Sequence, residues 1–322
     1  MLSRFRNYLA QERFLIGASL LRIASGFIIL YIYLIHYDQR HFLWTNSGVN
    51  IYTDNFKENI YSLYNLSDSL HYFDIIYHLG IIVTIFYLIG YKGRLFSILN
   101  YVFFYSIYVR MYHIGDGGDN LLTICLFFLL FANCTAYFSI DSYKYHSLQK
   151  KRKHTFLSQL SSIIHNFSVV FCIVQLCIVY FTSASYQIMG EMWQNGTAIY
   201  YIAQVNEYSR PLLRFIVNNF PWAAILFTYA SIIIKIAFPF TIMNAKLKPF
   251  MVGGIVFFHL GIGLGMGLLT FSSIMIAIEL LVFTDEEYIK LKHYVHRFSR
   301  KIFLLSKRRR RTFGYRHFNF KR

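Results

Sequence analysis

Six long apolar runs divide this chain, near residues 15–36, 72–90, 95–112, 119–138, 163–186 and 222–243. Each is close to the roughly 20 residues that a helix needs to cross the hydrocarbon core of a bilayer. A further apolar stretch, 249–283, has room for two short spans. It is predicted as a tight hairpin, 249–267 then 269–283, or as one span with a re-entrant element. The pattern therefore predicts an all-α polytopic membrane helix bundle of about eight spans. It divides the chain into a short N-terminal segment (1–14), a helical membrane domain (15–285) and a tail (286–322).

Charge orients these spans. The connectors 1–14, 91–94, 139–162 and 244–248 carry Arg4, Arg6, Arg13, Lys92, Arg94, Lys144, Lys150, Lys151, Arg152, Lys153, Lys246 and Lys248, and the segment from 284 onward carries 13 Lys and Arg. The alternate connectors, 37–71, 113–118 and 187–221, hold only Arg40, Lys57, Arg210 and Arg214. Lys and Arg accumulate on the cytoplasmic side of membrane proteins. This sorting predicts a multi-pass cell-membrane protein with both termini cytoplasmic. The first apolar run is longer than a signal-peptide core and no small-residue cleavage site follows it, so it reads as a retained span.

Composition supports the same class. The chain is 56% hydrophobic and 20% aromatic, with 15% charged residues against about 25% in a soluble domain. The net charge of +17 is confined to connectors and tail, which suits anionic lipid headgroups and disfavours nucleic acid. Cys125, Cys134, Cys172 and Cys177 lie in apolar runs without ligand spacing and read as buried packing residues. Neither a metal motif nor a phosphate-binding loop nor a hydrolase nucleophile motif is present, and no cofactor is implied.

Ionisable groups inside spans are costly unless they face the interior. Here they are Arg22, Arg110, Lys235, His259 and Glu279, with His78, His113 and His165 nearer span ends. The densest polar run is Arg110 to Asn120, at the outer end of the third span. In one reading Asp119 or Asn120 caps the fourth helix while Gly117 and Gly118 allow the turn. In the other, Arg110, His113, Asp116, Asp119 and Asn120 face an outward cavity and bind a polar or peptidic ligand, together with Trp193, Tyr200 and Tyr201 from the next outer loop, where Gly196 also lies. Lys235 and Glu279 either pair as buried ions or snorkel towards the surface. His259 lies beside glycines spaced four apart, among them Gly261 and Gly265, whose bare face is predicted to press against another helix. Asp116, Asp119, His259 and Glu279 are the candidates for any catalytic role. Pro239 is predicted to kink the sixth span.

Three segments carry a resemblance. They are Leu88 to Arg94 with Gly117 to Leu121, Tyr180 to Tyr201 with its Trp193 and Gly196-Thr-Ala, and His259-Leu-Gly-Ile followed by Met275 to Phe283. In order and spacing they resemble the bacterial horizontally transferred transmembrane domain proteins, distant kin of the vitamin K-dependent gamma-carboxylase. Where that family often has a lysine base, this chain has Gln187, whose amide takes no proton, so carboxylase chemistry is not expected. The length, tail and Asp116 to Asn120 pattern look most like the sporulation-delaying protein B branch. That resemblance implies a role in producing a secreted peptide toxin from its precursor, together with a small partner protein. The alternatives are a membrane enzyme acting on a lipid or quinone-linked substrate, and an immunity or sensor protein.

Overall fold

A computed structural model describes residues 9–49, 60–111, 114–151, 155–294, 296–297 and 300. His113 lies outside the described residues, as does most of the basic tail. The described residues form an all-helical fold without strands. Eight of its helices correspond to the eight apolar runs: α1 (Leu15–Ile35), α3 (Leu70–Ile89), α4 (Gly93–Tyr108), α5 (Gly117–Leu129), α7 (Phe156–Met189), α11 (Pro221–Thr241), α12 (Lys248–Met266) and α13 (Leu269–Glu279). Between them lie the shorter helices α2 (Arg40–Trp44), α6 (Ser142–Lys151), α8 (Glu191–Gln194), α9 (Ala198–Gln204) and α10 (Pro211–Asn219). Five helices, α1, α3, α7, α11 and α12, are long and apolar enough to cross a membrane.

Three of the expected spans are shorter in the structure. The runs at 95–112, 119–138 and 269–283 become helices of 16, 13 and 11 residues. The shortening after α5 has a local cause. From Leu130 the chain continues without a regular helix, and its backbone groups are met by neighbouring elements. Asn133 N–H donates to His165 Nδ1 at 3.0 Å, Tyr137 N–H to Ser19 Oγ at 3.1 Å, and Arg22 Nη2 to the Phe138 carbonyl at 2.6 Å. Irregular backbone inside a membrane domain is tolerated where protein groups satisfy it in this way. Arg22 also donates to the Leu88 carbonyl at 3.0 Å and the Tyr87 carbonyl at 3.3 Å, so a buried guanidinium covers the open carbonyls at the end of α3. Gly90, at φ 67°, supplies the left-handed turn that ends α3.

In contrast, α7 is longer than its apolar run. Its 34 residues rise about 51 Å at 1.5 Å each, well beyond the roughly 30 Å of a hydrocarbon core. Most of the extra length lies at its start, where Thr155 Oγ1 caps the helix by accepting from Ser158 N–H at 3.3 Å.

One end of the bundle gathers the start of α1 and the finish of α13. Asp285 accepts from the backbone N–H groups of Leu15 (3.1 Å) and Ile16 (2.7 Å), supplying an anion where the first turn of α1 leaves donors open. Gly17 lets α1 approach closely, since a Cβ there would sit 2.7 Å from the Leu280 carbonyl oxygen. Thr284 and Glu287 close a capping box, and Glu287 takes the Lys248 ammonium at 3.0 Å. Burial alone would raise the Glu287 pKa. The Thr284 N–H and the Lys248 ammonium outweigh it and hold that carboxyl below its ordinary range. His165 Nδ1 accepts from Asn133, so Nε2 carries the proton and donates to the Arg13 carbonyl at 2.7 Å. This is called the terminal end below, and the opposite end the loop end.

Candidate functional site

Two polar clusters merit comparison. The first is at the loop end and holds the residues singled out between α4 and α5. Asp116 is the N-cap of α5. It accepts from Gly118 N–H at 2.7 Å and Asp119 N–H at 3.2 Å, while Asp119 accepts from Asp116 N–H at 3.0 Å. That is a reciprocal capping box. Gly118 is where α5 nears α13: a Cβ there would meet the Phe271 Cα at 3.2 Å, whereas Gly117 faces open space. Asn120 Oδ1 accepts from the Tyr108 hydroxyl at 3.3 Å. Arg110 is buried and reaches away from the carboxylates. Its terminal nitrogens donate to the carbonyls of Trp44 (2.7 Å) and Tyr64 (3.0 Å) and to Asn65 Oδ1 (2.7 Å). It thereby pins the loop between α1 and α3 onto the bundle, with Trp44 fully buried beneath.

The second cluster lies inside the bundle, where α7, α11, α12 and α13 converge. The Tyr180 hydroxyl donates to Glu279 Oε1 at 2.7 Å and sits 3.0 Å from His259 Nε2. Because the phenolic proton goes to Glu279, the phenolic oxygen accepts from His259. The imidazole proton is therefore on Nε2, and Nδ1 carries the lone pair. All three side chains are at most 2% exposed. Phe238 and Phe271 wall the cluster, with ring centroids 4.7 Å from Tyr180 and 5.7 Å from His259. Among the described residues, His259 Nδ1, Glu279 Oε2 and Ser272 Oγ are buried in this cluster without a hydrogen-bond partner, as is Trp44 Nε1 at the loop end. Buried polar atoms are ordinarily satisfied; what sets this cluster apart is that two of its open atoms are acceptors on titratable side chains.

Lys235 and Glu279 do not pair with one another; Glu279 is taken by Tyr180. The Lys235 ammonium donates to Ser183 Oγ at 3.2 Å and lies over the rings of Phe258 (5.6 Å) and Trp193 (5.9 Å). Pro239, four residues on, has no N–H to give to the Lys235 carbonyl. Trp193 thus joins the buried cluster's edge rather than the α5 cap. Tyr200 and Tyr201 are exposed on α9, their rings 5.6 Å apart. Gly196, at φ 73°, turns the chain against Tyr229 and Ile225.

The glycines beyond His259 divide by face. Gly263 packs on Ser272 and Gly265 on Leu213, whereas Gly261 meets nothing within 4 Å. Positions 259 and 263 share a helical face while 261 points nearly opposite, so the close approach runs through Gly263.

Tyr180 is the residue whose role the sequence hid, since there it belongs only to an aromatic motif. One signal was available: Tyr180, Ser183 and Gln187 fall at i, i+3 and i+7, a polar stripe along one face of an otherwise apolar helix.

Comparison with known proteins gives two distant relatives, both from Bacillus subtilis (strain 168). The chain is 27% identical over 215 residues to the uncharacterized protein YitO, covering 63% of this chain and 65% of that protein. It is 26% identical over 129 residues to the sporulation-delaying protein SdpB, covering 40% of this chain and 38% of that protein. The chain therefore spans less than two thirds of the length of either relative. No family model and no solved structure matches.

Proposed function

We propose that this chain is a multi-pass cell-membrane protein that takes part in producing a secreted peptide toxin from its precursor, acting with a small partner protein. The similarity to SdpB carries this reading. Five helices of spanning length support the membrane setting. In this proposal all eight apolar helices lie in the membrane, the short α5 and α13 being largely buried among their neighbours and α4 turning Leu95, Ile98 and Val102 outward. The terminal end faces the cytoplasm, because the basic connectors lie there, and the loop end faces outward. In this proposal the chain is a distant relative of the horizontally transferred transmembrane domain proteins, whose motifs it resembles.

The test is peptide production in cells lacking the chain, read by mass spectrometry of the medium with the precursor followed by immunoblot. Accumulated precursor without mature peptide supports maturation. Normal peptide levels overturn it and favour an immunity or sensor role. A second reading, an enzyme acting on a lipid or quinone-linked substrate, draws on the unsatisfied buried groups around Glu279. It requires turnover by the purified protein alone.

A further inference from the structure

We propose that His259, Tyr180 and Glu279 form an intramembrane proton-binding relay, in which one proton taken up at His259 Nδ1 is stored on Glu279. The observation is a hydrogen-bonded chain drawn from three helices, 3.0 Å and 2.7 Å per link, with a bare acceptor atom at each end. The Tyr180 hydroxyl between them both donates and accepts, so the direction of the chain can reverse while the heavy atoms stay in place.

The step balances as follows. Initially Nε2–H donates to the Tyr180 oxygen and Tyr180 O–H donates to the Glu279 carboxylate. A hydronium ion gives a proton to Nδ1, breaking one of its O–H bonds and leaving water. The Nε2 proton passes to the phenolic oxygen, and the original phenolic proton passes to Glu279 Oε1. Three bonds to hydrogen form (at Nδ1, the phenolic oxygen and Oε1) and three break (in hydronium, at Nε2 and at the phenolic oxygen). The imidazole ends neutral in its other tautomer, Tyr180 is again a neutral phenol, and Glu279 is a neutral acid. The net change is one proton gained, and neither an oxidant nor a metal takes part.

The surroundings fit a proton better than a larger ligand. Among the described residues no group of three or more His, Cys, Asp or Glu gathers to hold a metal ion. The groups nearest the relay are Cys177 on α7 beside Tyr180 and Lys235 on α11 beside His259, the latter held by Ser183, with Ser272 on α13 at Gly263. The charged groups on the other helices packed against α13 are directed elsewhere. Arg22 of α1 is spent on the Tyr87, Leu88 and Phe138 carbonyls, and Asp119 of α5 on the Asp116 N–H. By helix rise, His259 lies about 10 Å and Glu279 about 15 Å from the loop end, placing the store deep in the bundle.

The experiment is pH-difference infrared spectroscopy on the full-length protein in lipid nanodiscs, with isotope-labelled histidine. The expected result is a protonated-carboxyl band, absent in Glu279→Gln, that grows in at the same pH as the imidazole tautomer change. Tyr180→Phe, which keeps the ring and deletes the link, should separate the two transitions by at least about one pH unit, a tenfold change in proton affinity. His259→Gln should move the carboxyl transition likewise, which keeps the test decisive if Tyr180→Phe is poorly folded. A carboxyl band that survives Glu279→Gln, or transitions unmoved in both link variants, overturns the relay. The readout is protonation of the isolated protein, so failure of the relay and failure of the peptide-maturation reading are seen separately.

Discussion

The loop-end cluster and the buried cluster hold similar residue types, but they use them differently. At the loop end, Asp116 and Asp119 are consumed by the first turn of α5, and Arg110 by the carbonyls of a loop. These contacts are made to backbone groups that would otherwise be open. In the buried cluster, side chains contact side chains, and His259 Nδ1 and Glu279 Oε2 are acceptors without a partner. A cluster that satisfies the backbone acts on stability. A cluster with unspent acceptors in low dielectric is costly to keep and has chemistry available. The comparison moves attention from the Asp116–Asp119 run, which is conspicuous in sequence, to Glu279 and its neighbours.

Arg110→Ala should have the largest effect on stability. It strands the Trp44 and Tyr64 carbonyls and removes a buried network, which costs about 3 kcal/mol or more. Thermal unfolding in detergent should show a large drop, and Arg110→Lys should restore only part of it because an ammonium lacks the planar fork. A variant as stable as the parent would remove the structural role given to Arg110.

Asp116→Ala comes next, at about 1 kcal/mol for a lost N-cap. Under the proposed role, peptide yield should then fall no further than protein abundance does. If yield from Asp116→Ala or Asp119→Ala collapses while abundance holds, the carboxylates touch the precursor and the loop end is a binding site after all. Unchanged yield at unchanged abundance would count against an outward cavity there.

Glu279→Gln should cost less than about 1 kcal/mol, because the amide oxygen still accepts from Tyr180 and the volume is kept. Under the proposed role, peptide production should nonetheless be lost at normal abundance. Full activity in this variant would mean that the buried cluster serves packing alone.

The smallest effect is expected at the terminal end. The Glu287 carboxyl is held below its ordinary range in the folded protein, so its contribution is fully present above the unfolded value. It is lost as pH falls through the lower, folded value. Unfolding curves collected from about pH 6 down to about pH 3 should show a modest acid-side decline that Glu287→Gln flattens. An identical decline in the variant would assign it to other carboxylates.

Much of the fold was legible in the chain. Hydropathy located all eight apolar helices, and for α1, α3, α11 and α12 the bounds fell within two residues. It misjudged α5 because Leu130 to Phe138 is apolar enough to extend a span. What ends the helix is the reception of that backbone by Ser19, Arg22 and His165 from two other helices. His259 and Glu279 stood out as ionisable groups in apolar runs, but their partner did not.

The sequence by itself determined which segments are apolar helices and how charge is sorted between them, because transfer from water is a property of each residue and adds along the chain. Only the tertiary structure decided that Glu279 meets Tyr180, 99 positions away, rather than Lys235. That choice depends on how each helix is rotated about its axis, which is set by close packing such as Gly17 on Leu280 and Gly263 on Ser272. Packing of that kind is a relation between distant residues, and no local pattern encodes it.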